Sequence, residues 1–471
     1  MATRTAASVA RRSPAHSPLP IVSPAARPAG LRLACARTGD HGLIHGLLVS
    51  IFHGPSASEF HAQLDEPGYV PADRLIVKDS EQVVAHLRLA RQRIQLDATS
   101  APAARFMDLA TATAYRGRGL ATAMLTAGER AAAERGALIG LTCTRAPELF
   151  ARQGWSVCGR RMYSSAAPRA VLAELGATAA GLLAAPRPIV VGPLTPPDEP
   201  LVVRPLRRIE LPALVRLYAQ NLAGKSGWPL RDEAYWDWLL ARGACDHIYV
   251  AATGGEPTDL TQLIDSIVGY AFVRQCRLVE VVAAPGRDDV ARRLAARVCA
   301  DASEQDDWHV RCDAPPHDPL HQLFRRAGGK IAQGSEADGE FFMAKLLDPL
   351  LVLRQLALTL HARARAAALP RPSELGLELR GGKSRKDRGV VERFRLLLGR
   401  RGVRVETGGP SRHTVILKDA DLTPLVLGDC SAEEMLTRGR MRALTPRAKL
   451  LASALFPSSR WWRPPLDDLL A

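Results

Sequence analysis

No apolar run in this 471-residue chain reaches bilayer-spanning length without a charge or a proline; the best candidate, 350–369, is cut by Arg354, Arg363 and Arg365. A helical membrane protein is therefore not expected, and the chain reads as cytoplasmic. Its eight cysteines form no Cys-x-x-Cys pair and stand at no His/Cys spacing suited to zinc. This excludes a zinc ribbon and a disulfide framework, and leaves a reduced protein with buried thiols and no expected metal. Serine, histidine and aspartate show no spacing that supports a nucleophilic triad. Aromatic residues make up only 5%. With 47% hydrophobic residues, two or three globular domains are expected.

The net charge of +15 is concentrated in two places. Residues 1–39 hold six arginines and no acid, and 361–412 hold 14 Lys/Arg against five Asp/Glu; the rest of the chain is balanced. Prolines at 14, 18, 20, 24 and 28 argue against a continuous helix in the first segment, which reads as a disordered basic tail over 1–30. The second segment has no interleaved aromatics and reads as a solvated face, so a nucleic-acid partner is the least supported reading.

The most informative stretch is Arg116-Gly117-Arg118-Gly119-Leu120-Ala121. A strand-like run over 106–111 precedes it. An Ala/Leu/Met-rich helical stretch follows, with no further glycine or proline until Gly128, and Gly136 stands where a helix stop is expected. Strand, basic glycine turn and helix together make a phosphate cradle. First-turn N–H groups lack partners inside the helix and face whatever sits on its N-terminus. Gly117 and Gly119 allow close backbone approach, and the two arginines add charge. A strand over 137–144 and then Glu148-Leu149-Phe150-Ala151-Arg152-Gln153-Gly154-Trp155 complete the unit.

The Arg-x-x-Gly-x-Ala spacing with these flanks resembles the acetyl-CoA pyrophosphate loop of the GNAT acyltransferases. The resemblance implies that acetyl-CoA is held by the backbone of Arg116, Gly117, Arg118, Gly119, Leu120, Ala121 and Thr122. It also implies that Leu109, Ala110 and Thr111 are the strand positions lining the pantetheine and facing the thioester carbonyl.

After a proline-rich stretch over 166–200 that carries a helix near 169–183, the chain starts over. Leu323-Phe324-Arg325-Arg326-Ala327-Gly328 echoes Leu149-Phe150-Ala151-Arg152-Gln153-Gly154 at an offset of 174. A strand over 281–284 and a helix over 290–302 fall where the cradle's would. In this copy Asp288 and Asp289 replace Arg118 and Gly119, and two carboxylates repel an anionic ligand. The second copy is expected to be a scaffold. The last part reads as one helix over 347–369, four strands over 375–380, 390–398, 402–406 and 414–418, then helices over 432–437 and 446–455. It closes on Phe456-Pro457, Trp461-Trp462 and Asp467-Asp468.

The order of parts is similar to that of the Eis-type acetyltransferases, with a sterol-carrier-protein-like third domain. The expected class is mixed α/β: a GNAT domain over 31–165, a degenerate copy over 201–344 and a helix-on-sheet domain over 345–471. The resemblance implies a cytoplasmic N-acetyltransferase acting on an amine such as a lysine, an aminoglycoside or another polyamine, assembled as a homo-oligomer, perhaps a hexamer. It places the general acid, usually a tyrosine, at Phe150, which has no proton to give. Tyr163, Tyr115 or water are the substitutes. It places the general base at the terminal carboxylate of Ala471, with Glu148 and Asp108 as alternatives. A non-catalytic acetyl-CoA-binding module is the rival reading.

Overall fold

The computed structural model describes residues 31–160, 162–184, 201–254, 260–333, 340–381, 389–459 and 461–469. The expected tail over 1–30, residues 185–200 of the proline-rich stretch and Ala471 lie outside them. The chain is a mixed α/β protein with three mixed sheets. No helix among the described residues is long and apolar enough to cross a membrane.

The first unit runs β1 (Leu31–Cys35), α1 (His41–Phe52), α2 (Ala57–Leu64), β2 (Arg74–Asp79), β3 (Gln82–Asp97), β4 (Thr99–Thr111), α3 (Leu120–Glu134), β5 (Ile139–Thr144), α4 (Pro147–Ala151) and β6 (Ser156–Arg160). β1 to β4 pair antiparallel in sequence order. Strand alternation sends Leu87, Leu89 and Phe106 to one face, where they meet Leu120, Met124, Leu125, Ala131 and Ala132 of α3. The other face takes α1 and α2 through Ile44, Leu47, Leu48 and Phe60. β4 is much longer than the run over 106–111 that the sequence predicts, and β3 extends as far beside it. In their distal halves, rich in Gln, Arg and Ala, the alternating signal is reduced to Ile94 and Leu96 with the small Ala101 and Ala103, and Asp97 turns between them at φ 54°.

β7 (Met162–Ala166) and α5 (Pro168–Ala184) then leave this sheet. The second unit comprises β8 (Val202–Pro205), α6 (Leu211–Gln220), β9 (Lys225–Pro229), α7 (Glu233–Ala241), β10 (His247–Ala252), α8 (Leu260–Ser266), β11 (Ile267–Arg274), β12 (Arg277–Ala283), α9 (Asp288–Glu304), β13 (Val310–Cys312), α10 (Pro319–Arg326), β14 (Lys330–Gln333) and β15 (Phe341–Leu346). Its sheet has the order β8-β10-β11-β12-β13-β7-β14, and the first has β1-β2-β3-β4-β5-β15-β6. The two orders correspond strand for strand, and the units have exchanged one strand reciprocally. β7 lies between β13 and β14, and β15 lies between β5 and β6. β9 also pairs with β3 of the first sheet. The expected boundaries at 165 and 344 fall inside β7 and β15, so most of each exchanged strand is grouped with the unit whose sheet it does not join. Alternation marks a strand but does not say which of two equivalent slots it fills.

The third unit is α11 (Pro349–Gln355), α12 (Ala357–Ala366), β16 (Ser373–Arg380), β17 (Val390–Leu398), β18 (Val403–Thr407), β19 (Thr414–Lys418), α13 (Asp419–Leu427), α14 (Ala432–Thr437), β20 (Met441–Ala443) and α15 (Pro446–Leu455). Five strands form the sheet β18-β17-β16-β19-β20. The single helix predicted over 347–369 is two, broken at Leu356; Val352, Leu353, Leu356 and Leu360 all reach the core. α13 goes unpredicted because Pro424 lies inside it.

The end of the chain ties the units together. Trp461 belongs to the core of the third unit, whereas Trp462 and Leu466 belong to that of the second. Gly227, at φ 94°, makes room: a Cβ there would lie 2.5 Å from the Trp462 carbonyl oxygen.

Candidate active site

β4 and β5 pair parallel only at Ala103–Arg105 with Ile139–Leu141. One side-chain bond, from Thr142 Oγ1 to the Phe106 carbonyl at 2.8 Å, closes the join. Beyond it β4 runs on without β5, so the β5-facing edge at Leu109, Ala110 and Thr111 is open. Leu109 leans on the core under α3, and Ala110 is buried under α1. A bulge in the β3–β4 pairing, between His86 and Arg88, puts Asp108 at φ 53° immediately before this segment.

The cradle continues from the strand. One 3-10 turn, Thr113–Tyr115, leads to Arg116, and Gly117 and Gly119 take φ of 76° and 75°, which an L side chain adopts only under strain. No atom lies within 4 Å of a Cβ built on either glycine, so the concavity is open. Gly119 is the N-cap of α3 and supplies no side-chain cap, leaving the first-turn N–H groups of Leu120, Ala121 and Thr122 free to take an anion. Arg116 and Arg118 are exposed beside it. Arg116 Nε reaches the Thr111 carbonyl at 3.4 Å, and Arg118 lies over the Tyr115 ring at 4.9 Å. The structure thus brings together all seven cradle residues and the three strand positions, and their shape and polarity fit a pyrophosphate.

The second unit carries the counter-example. At the start of α9 the Arg287 guanidinium pairs bidentately with Asp289 at 2.9 and 2.8 Å. That hydrogen bond, above all, holds the Asp289 carboxyl below its ordinary range. A carboxylate of the chain itself stands where a ligand's anion would be.

The proton-transfer candidates separate. Phe150 is buried and packs edge-on against Trp155, with centroids 5.4 Å apart. Tyr163 is not brought to the cradle; it sits on β7 in the second sheet, under the Arg311 guanidinium at 3.6 Å. Tyr115 is adjacent, but its hydroxyl already donates to Asp79 Oδ2 at 2.7 Å. Glu148 is exposed at the start of α4. Asp108 is on the bulge, 3.9 Å from Arg74, and its Oδ2 is buried without a hydrogen-bond partner. Among the described residues no three His, Cys, Asp or Glu side chains gather as a metal ion needs.

Sequence reasoning missed the polar layer on the α2 face of the first sheet. Arg74, His86, Arg88 and Arg105 are all buried there. The signal was present: His86 and Arg88 occupy alternate positions in an otherwise aliphatic strand, so they share a face. His86 Nδ1 bonds the Asp108 carbonyl at 2.8 Å, and Arg74 Nη1 approaches Nε2 at 3.2 Å. Nδ1 therefore carries the proton and Nε2 accepts. Burial first, and then Arg74, push the His86 imidazole down to about 3. In the unfolded chain it protonates near pH 6.5. Between these values the unfolded state binds more protons, so stability is lost as pH falls from 6.5. From pH 7 to pH 5 the native chain should lose about 2 kcal/mol more than His86→Asn, read from urea midpoints at each pH.

A cavity of about 530 Å³ lies at the far end of α3, lined by Arg91, Arg135, Ala132 and Tyr235 and by no cradle residue. A smaller one opens between α2, β4, α7 and the chain's end, lined by Gln63, Arg88, Arg105, Met107, Arg242 and Leu469 among others.

Residues 37–158 match the model of a family described as an acetyltransferase (GNAT) domain. The fold is similar to that of a GCN5-related N-acetyltransferase from Anabaena variabilis, with a TM-score of 0.67 and 16% identity over 92% of this chain and 99% of that one. A GCN5-related N-acetyltransferase from Kribbella flavida gives 0.63 and 17% over 92% and 97%. Eis1 from Mycobacterium abscessus gives 0.60 and 15% over 92% and 99%. No curated protein matches the sequence. At these identities the likeness to solved structures is one of fold. Residues 37–158 are therefore similar to a GNAT acetyltransferase domain, and the fold of the whole chain is similar to that of Eis1 from Mycobacterium abscessus.

Proposed function

We propose that this protein is an acetyl-CoA-dependent N-acetyltransferase that transfers the acetyl group directly to an amine. The open, uncapped N-terminus of α3 behind two left-handed glycines carries the reading. Backbone N–H groups of Leu120, Ala121 and Thr122 take the pyrophosphate, with Arg116 and Arg118 adding charge. The open edge of β4 aligns the pantetheine and turns backbone N–H groups to the thioester carbonyl, where negative charge develops on attack. The amine must lose a proton. Asp108 is the carboxylate that the bulge presents beside this edge, and we assign it the general base. The terminal carboxylate of Ala471 is the second candidate, favoured by the burial of Leu466 and Asp467 next to the site.

No tyrosine stands at position 150, and a coenzyme A thiolate is a tolerable leaving group near neutral pH. Turnover without a side-chain acid follows from that chemistry. Thiol release from acetyl-CoA over a panel of amines tests the reading. Asp108→Asn should lower kcat at pH 7 about 100-fold. A fall confined to KM would place Asp108 in binding and return the base to Ala471. The burial of Phe150 also favours a second reading, a donor-binding module without catalysis. Acetyl-CoA binding with no thiol release on any amine at any pH would select it.

A further inference from the structure

We propose that His86 is a positioning residue of the transfer step: its imidazole pins the extra residue of the β3–β4 bulge at Asp108 and so turns the backbone N–H groups of Leu109 and Thr111 to the thioester carbonyl. The inference rests on the acetyltransferase reading and deepens it.

Register carries the first half of the argument. Met107 stands opposite Arg88 and Ala110 opposite His86, so Asp108 and Leu109 together oppose Leu87 alone. Beyond the bulge the Ala112 N–H donates to the Val84 carbonyl at 2.9 Å. Backbone direction alternates from residue to residue along a strand, so Ala110 also faces β3. Leu109 and Thr111 then face the other edge, which β5 has left. Without the extra residue Leu109 would stand opposite His86, and its N–H would turn from that edge into the β3 ladder. The place of the bulge therefore decides which N–H groups an acetyl donor meets.

His86 holds the bulge in place. Its ring is fully buried, and Nδ1 donates to the Asp108 carbonyl at 2.8 Å. Asp108 is at φ 53°, a left-handed conformation that an L residue keeps only when its surroundings impose it. The tautomer is fixed from the opposite side of the ring. Arg74 Nη1 lies 3.2 Å from Nε2, and a guanidinium can only donate. Arg74 is anchored in turn by Gln63 Oε1 at 2.8 Å and by the Tyr69 hydroxyl at 3.2 Å. The other tautomer would set an Nδ1 lone pair against the Asp108 carbonyl oxygen.

The test uses the full chain and two amides that divide the imidazole's bonds. Asparagine carries a nitrogen where Nδ1 lies, and glutamine carries an oxygen where Nε2 lies. His86→Gln keeps the acceptor for Arg74 and loses the bond to Asp108. It should lower kcat for thiol release about tenfold or more and leave the acetyl-CoA KM unchanged. His86→Asn gives up the bond from Arg74 but keeps the one to Asp108, and should recover most of that loss. A merely structural role would instead rank both variants by their stability in urea. A second readout needs neither turnover nor amine: the infrared band of the thioester carbonyl in bound acetyl-CoA, labelled at its carbonyl carbon. The band should lie below its position in water in the native chain and in His86→Asn, and return toward that position in His86→Gln. Where the chain turns over no amine, this band decides alone. Bound acetyl-CoA with the same band in all three proteins, or measurable turnover that is equal in the two variants, would overturn the inference and leave the acetyltransferase reading standing. A native chain that binds no acetyl-CoA would overturn both.

Discussion

Gly119→Glu should weaken acetyl-CoA binding more than 100-fold in calorimetry while the fold survives. Three effects act in one direction. The backbone at 119 has φ 75°, a conformation costing an L residue about 1–2 kcal/mol. The new carboxylate would sit at the N-terminus of α3, where it would compete for the N–H groups we assign to the pyrophosphate. It would also repel the phosphates across a short distance. The fold should tolerate the change, because a Cβ at 119 meets no atom within 4 Å. The chain contains its own version of this experiment at Arg287 and Asp289, where an internal carboxylate occupies the start of α9. Retained affinity in Gly119→Glu would remove the cradle from the donor site and, with it, the observation on which the enzyme reading stands.

The cradle was legible because its chemistry is local. Two glycines, two arginines, a strand before and a helix after all lie within about thirty residues, and each is dictated by backbone sterics or unpaired N–H groups. The degenerate copy was legible for the same reason, since two aspartates at a helix start declare themselves in sequence. The reciprocal strand exchange was not legible. Met162–Ala166 and Phe341–Leu346 show acceptable strand patterns, but which sheet each completes depends on contacts more than 140 residues away. The arginine layer was half legible. Alternation places His86 and Arg88 on one face, whereas the partner that neutralises Arg88, Glu66, comes from beyond α2. Tyr163 misled because the strand following β6 in sequence is not the strand beside it in space.

The second large effect should come from the end of the chain. Asp467 is fully buried and accepts from Arg231 Nε and Nη2 at 3.3 and 2.7 Å. Arg231 in turn pairs bidentately with Glu280 at 2.8 and 2.7 Å and lies over Tyr218 and Trp236. Burial alone would raise the Asp467 carboxyl, but Arg231 holds it below its ordinary range. The carboxylate therefore contributes stability above its unfolded value near pH 3.9, and that contribution is lost on acidification through the folded value. Asp467→Ala removes two bonds to a buried guanidinium and leaves a cavity, so it should cost about 3 kcal/mol in urea unfolding at pH 7. An exposed pair gives the contrast: Arg404, paired with Glu406 at the surface, should be worth about 0.5 kcal/mol or less on substitution by alanine. Location makes the larger effect more than a matter of stability. Arg105 of β4 donates to the Asp467 backbone carbonyl at 3.1 Å, so the same residue joins the second unit's core to the strand that leads into the cradle. Asp467→Ala should therefore also speed carboxypeptidase digestion of the terminal segment and lower thiol release. A variant that loses the 3 kcal/mol yet keeps full turnover would show that the terminal segment clamps the units without shaping the site.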